Sequence, residues 1–303
     1  MKMKFLALLF TALLLAGGCA ERPELASSAA DVSSAQTSAD VSSAADPSSE
    51  AASSAESADP ASGASSQEGE PSSAAQTSTA PSQTGGALAE SPRAEDSYFD
   101  DAVFIGDSVS LKLNLYVTNC RQSSNPTLLG KAQFLTAGSM GSGNALQPVS
   151  DDSIHPLYNG EKLSLADSVA ASGAKKVYVM LGMNDLAVYG VDGAAANMET
   201  LLKGILEKTP DAQIFVQTAT PLVKAKNIET NKLNNANMRL YNEKLAEVCE
   251  NNGWYLVDVS SAVQDGEGNL NASYCSDPDD MGIHFTDEGC NVWIDYLYTH
   301  VPQ

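Results

Sequence analysis

The stretch AVFIGDSVSLKL, Ala102 to Leu113, changes period in its middle. Ala102 to Ile105 is an unbroken apolar run of the kind that a strand buried on both faces requires, and Gly106-Asp107-Ser108 ends it before a helical spacing begins. A strand that stops at such a turn and leads into a helix opens a βα unit. Ser108 stands at the junction. Serine is favoured there as a helix cap, and the same hydroxyl could serve as a nucleophile. What the rest of the chain brings to that point distinguishes the two roles.

Four further runs share the character of the first: AQFLTAG, KKVYVMLG, QIFVQTAT and WYLVDVSS. Each is short and rich in β-branched and aromatic residues, as buried strands are. Between the later ones lie helical patterns, LADSVAASG, AANMETLLKGILEKT and NANMRLYNEKLAEVCENNG, the last stopped by Asn252-Gly253. TDEGCNVWIDYLYTH predicts a closing helix with Thr286 as its cap and Trp293 facing inward. This alternation predicts an α/β fold, an approximately five-stranded parallel sheet with helices on both faces. Sites in such sheets lie at the carboxyl ends of the strands. Gly106-Asp107-Ser108, Gly138 and Gly182-Met183-Asn184-Asp185 all fall there.

The first third of the chain has a different composition. Residues 1–18 carry Lys2 and Lys4, the apolar run FLALLFTALLLA and then Gly17-Gly18, which predicts an export leader too short for a comfortable membrane span. The ending AGGC resembles a bacterial lipobox, which implies lipidation of Cys19, although Ala16 is a less usual choice at its first position than Leu. Residues 19–97 are dominated by Ser and Ala and hold no aromatic residue, no Ile and no Lys. Such a segment cannot bury enough apolar surface to offset the cost of ordering, so it is expected to be a disordered tether. The folded domain is expected over 98–303, displayed outside the cell from a membrane anchor.

The net charge of -21 argues against nucleic acid as a partner, because that binding relies on basic patches. Cys120, Cys249, Cys275 and Cys290 show no metal-type CxxC spacing. They leave open either two disulfides or free thiols. Of the three histidines, His300 is expected to be exposed near the chain end, and His155 has no role that its surroundings argue for. His284, in CSDPDDMGIHFTDEG just before the last helix, is the leading candidate for a base.

FIGDSVS, LGMNDL and MGIHFT resemble blocks I, III and V of the SGNH (GDSL-type) hydrolases, in that order and across essentially the whole domain. The resemblance implies a three-layer, flavodoxin-like SGNH fold and a serine esterase that needs neither metal nor organic cofactor. It implies Ser108 as nucleophile, His284 as base, and oxyanion donors from the Ser108 N–H, the Asn184 side chain and a glycine of TAGSMGSGN. Aligning TAGSMG on the family's second block makes that glycine Gly141, with Gly138 in reserve and Thr136 where the family has Asn.

The chain departs from the family in its last block, which usually reads Asp-x-x-His. Met281 stands three residues before His284; Asp280 is one residue too far, Asp277 fits if PDDM is an insertion, and the third alternative is a backbone carbonyl that holds the ring in place of a side-chain acid. The expected substrates are acylated small molecules or polysaccharide, with O-acetyl groups foremost. An O-acyltransferase using the same acyl-enzyme and a non-catalytic module of the same shape are the alternatives.

Overall fold

The computed structural model describes residues 86–303. The leader, Cys19 and the tether up to residue 85 lie outside the described residues.

Seven strands form in chain order: β1 (Ala102–Gly106), β2 (Gln133–Thr136), β3 (Leu157–Tyr158), β4 (Glu161–Lys162), β5 (Lys176–Met180), β6 (Gln213–Gln217) and β7 (Tyr255–Val257). The five runs identified in the sequence are β1, β2, β5, β6 and β7, and they form one parallel sheet in the order β2-β1-β5-β6-β7. β3 and β4 pair antiparallel as a separate two-stranded hairpin that the sequence pattern does not signal. Pairs so short give little alternation to detect.

The helices are α1 (Ser108–Ser123), α2 (Ser142–Ala145), α3 (Leu165–Ser172), α4 (Met183–Lys208), α5 (Asn235–Asn252), α6 (Val259–Val263) and α7 (Asp287–Thr299). α4 packs against α3 and α5, whereas α7 packs against α1 and α6, giving a layer for each face of the sheet. α5 ends on Gly253 in the left-handed conformation, and Thr286 caps α7 by accepting from the Gly289 N–H. α4 begins earlier than its apolar period indicates and kinks at Gly190, whose φ of 67° is not helical.

One ladder of rings crosses the whole sheet. Phe134, Phe104, Tyr178, Phe215 and Tyr255 come one from each strand and stack in register, with neighbouring centroids 5.3, 4.8, 4.3 and 4.8 Å apart. Phe99 lies against Phe104 and Tyr178 and meets Tyr298 of α7 edge-on at 5.2 Å, joining the ladder to the helical layer. Trp293 is fully buried, and its Nε1–H donates to Gln217 Oε1 at the end of β6.

Contacts with the domain begin before Tyr98. Leu88 N donates to Leu256 O, Ser91 N to Thr299 O and Ala94 N to Tyr298 O, so residues expected as the end of the tether lie against β7 and α7. The four cysteines of the domain are free thiols, and burial pushes Cys249 and Cys290 up to about 12.

Phe215 is fully buried between two stacked rings. Phe215→Ala is therefore expected to lower the unfolding free energy by about 3–5 kcal/mol, while Phe215→Leu should cost much less. Urea unfolding of both variants measures this, and equal costs would refute a role for the ladder beyond filling volume.

Candidate active site

α1 starts directly at the carboxyl end of β1. Asp107, not Ser108, is its cap: the Asp107 Oδ1 accepts from the Val109 N–H at 2.9 Å. Ser108 is thereby relieved of the capping role and stands half-buried in the first turn. Its backbone N–H is among the unpartnered donors of a helix start.

His284 lies across from it. Its Nε2 is 2.9 Å from Ser108 Oγ, and its Nδ1 is 2.7 Å from Asp277 Oδ2. Of the two candidate acids, the structure brings Asp277 to the ring; Asp280 is exposed and forms no hydrogen bond with it. The cause is a turn. The Asp277 carbonyl accepts from the N–H groups of Asp280 and Gly282, which folds PDDM outward and returns the chain beneath the carboxylate. Asp277 Oδ1 then accepts from the N–H groups of Ile283 and His284, both at 3.0 Å.

Burial pushes the Asp277 carboxyl up, but the bonds from the His284 side chain and backbone outweigh it and hold the group below its ordinary value. A carboxylate that stays ionised is what orients an imidazole and supports its protonated form. The turn is braced from outside by Val223 N donating to Gly282 O and Lys226 Nζ donating to Asp279 O.

The third loop enters from β5. Gly182 takes a φ of 130°, and a Cβ there would lie 2.2 Å from the Tyr241 ring, so only glycine fits. Asn184 follows in the first turn of α4 and donates from Nδ2 to Asp107 Oδ2 at 3.2 Å and to Met140 O at 3.1 Å. Asp185 is buried and reaches back to α2, where its two oxygens accept from the N–H groups of Ser142 and Gly143, both at 2.8 Å. The sequence places Asp185 at the carboxyl end of a strand and no further. The signal for its actual role was slight, because a carboxylate that caps a distant helix carries no spacing of its own.

Of the two glycines, Gly141 is the one the structure requires. A Cβ there would lie 2.7 Å from Asp185 Oδ2, whereas nothing stands within 4 Å of one at Gly138. The close approach at Gly141 is thus to Asp185, a reason beyond access to a substrate oxygen. In the resting site the Gly141 N–H bonds to Asn144 Oδ1 at 2.9 Å, while Asn144 Nδ2 bonds to Ser139 O. Among the described residues the Gly138 N–H has no hydrogen-bond partner, and the residue is exposed.

The other histidines stand apart from this cluster. His155 is buried and bonds through Nε2 to Ala145 O, holding the end of α2. His300, expected to be exposed, is half-buried and stacks on Tyr296 at 3.6 Å. Among the described residues no group of three or more His, Cys, Asp or Glu side chains is placed to hold a metal ion.

The chain matches the model of the GDSL-like Lipase/Acylhydrolase family over residues 104–292. No curated relative matches it. Solved structures similar to it include a GDSL-like lipase from Bacteroides thetaiotaomicron, with 16% identity, a TM-score of 0.48 and coverage of 65% of this chain and 86% of that one. A mutant of a Geobacillus acetyl-xylooligosaccharide esterase shows 18% identity, a TM-score of 0.45 and coverage of 65% and 91%. An acetyl xylan esterase shows 14% identity, a TM-score of 0.45 and coverage of 65% and 97%.

Two outcomes follow from the geometry. Asp277→Asn should lower kcat for ester cleavage by about 10⁴-fold, as loss of a triad acid does, and Asp280→Asn should leave it within about twofold. Steady-state kinetics of the two variants decides between the acids. The second concerns Asp107, which burial pushes up to about 6. Unfolded, this carboxyl ionises near about 3.9, so between about pH 4 and 6 the unfolded chain releases a proton that the folded chain keeps. The contribution of Asp107 to stability is full below that window and is lost as pH rises through it. Asp107→Asn keeps a capping oxygen and removes the titration. The stability of the native protein relative to the variant should therefore fall from pH 4 to pH 7 in denaturant titrations, and a difference independent of pH would exclude the raised value.

Proposed function

With the chain a member of the GDSL-like lipase/acylhydrolase family, and so an ester hydrolase, we propose that it cleaves O-acyl esters, O-acetyl foremost, from polysaccharide through a Ser108 acyl-enzyme. The observation that carries this reading is the unbroken chain from Asp277 Oδ2 through the His284 ring to Ser108 Oγ, with links of 2.7 and 2.9 Å.

In this mechanism Ser108 Oγ attacks the acyl carbon while His284 Nε2 takes the hydroxyl proton, and Asp277 supports the imidazolium that forms. The tetrahedral oxyanion is bound by the Ser108 N–H and the Asn184 amide, with Gly141 joining them once the Asn144 side chain turns away. His284 then returns the proton to the departing alcohol oxygen. Water repeats the sequence and releases the carboxylic acid. One donor of this kind contributes about 2.7–4 kcal/mol to transition-state stabilisation.

The substrate class rests on where the domain is displayed. The leader, lipidation at Cys19 and the Ser- and Ala-rich segment up to residue 85 would hold the domain on the outer side of the membrane, beside cell-wall or environmental polysaccharide. Discharge of the acyl-enzyme to a sugar hydroxyl would make the protein a transferase, and no residue described above favours that course over water.

Purified protein should turn over p-nitrophenyl acetate and take up a serine-directed fluorophosphonate, and Ser108→Ala should lose both. Labelling that persists in the variant, or no turnover by the native protein, would sink the assignment of Ser108.

A further inference from the structure

A cavity of about 340 Å³ opens beyond β6 and β7, between α5, the loops after both strands and Ala87. None of Ser108, His284, Asp277 and Asn184 lines it. It adjoins the histidine loop nonetheless: Pro221 forms part of its wall, and Val223, two residues on, bonds to Gly282 two residues before His284. Thr218 and Asp258, which follow β6 and β7 directly, line it as well. It therefore shares the carboxyl edge of the sheet with Ser108, which follows β1. β6 and β7 lie two and three strands from β1, or about 10–14 Å at about 4.8 Å per strand.

The chemistry of its walls narrows the ligand. The side chains of Arg239 and Glu243, one turn apart on α5, form no ion pair or hydrogen bond with each other or with any other described residue. Asp258 uses Oδ1 to accept from Thr218, which leaves Oδ2 unpartnered, and Gln264 donates from Nε2 to Ser260, which leaves its carbonyl oxygen unpartnered. Two carboxylates disfavour an anion, and the guanidinium disfavours a cation. Groups that both donate and accept, set beside the apolar Pro221, Met238 and Leu256, suit a molecule with hydroxyls on its edges and C–H groups on its faces.

We infer that this cavity is a subsite for a neutral oligosaccharide, holding the part of a polymeric substrate that lies away from the scissile ester. The inference rests on the polysaccharide reading above and adds where the chain of sugars is held. A ligand that reaches both places must be longer than one sugar unit, so the subsite selects polymer over monomer.

The test uses the full chain, Arg239→Ala/Glu243→Ala, and separately Ala246→Phe, which puts a ring into the cavity from α5. Calorimetric titration with hexasaccharides of glucose, xylose and N-acetylglucosamine that carry no O-acetyl ester should show at least one binding to the native protein. Either substitution should weaken it about tenfold or more. Turnover of p-nitrophenyl acetate should stay unchanged in both variants. Failure of all three sugars to bind, or binding that survives both substitutions, would overturn the subsite. Absence of p-nitrophenyl acetate turnover in the native protein, with sugar binding intact, would instead count against the esterase reading.

Discussion

Two buried carboxylates hold the site together. Asp107 and Asp185 each accept from backbone N–H groups at a helix start, and each links elements that are far apart in sequence. Helix starts carry unpaired N–H donors, and a carboxyl oxygen placed there satisfies them. Asp107 joins the turn after β1 to Asn184 in α4, and Asp185 joins α4 to α2. The three loops that surround Ser108 are thereby fixed to one another as well as to the sheet. Remove either carboxylate and the N–H groups it serves would need other partners in a place where water has little access.

The fold was largely legible in the sequence because burial on both faces leaves a plain signature. Phe104, Tyr178 and Phe215 sit in runs that only a two-sided core explains, and the same rings turn out to stack in register. The site was legible where a turn or a motif fixed it, at Ser108, Asn184 and His284. Partners defined by tertiary approach were not. Asp277 was one of two candidates, and choosing it required knowing that PDDM would fold outward as an inserted turn; Asp185 required knowing that α2 would start against α4. The Asn144 contact could have been suspected, since an amide at the third position of a helix commonly returns to the backbone of its cap.

Two of the three proposed oxyanion donors are occupied in the resting site. Asn184 gives both amide hydrogens to protein acceptors, and Gly141 gives its N–H to Asn144. Idle donors in a half-buried site would be costly, and these internal bonds remove that cost. The developing charge must then compete with neutral oxygens for the same hydrogens. A negative oxygen wins that competition because charge-assisted bonds are about twice as strong as neutral ones.

The inserted turn before His284 also has a mechanical consequence. Asp277 bonds to the ring of His284 and to its backbone N–H, so acid and base share a single short segment. They cannot drift apart as two residues on separate loops could. Asp277 and His284 thus face Ser108 as a single clasp, pinned from outside where Val223 and Lys226 bond to the turn.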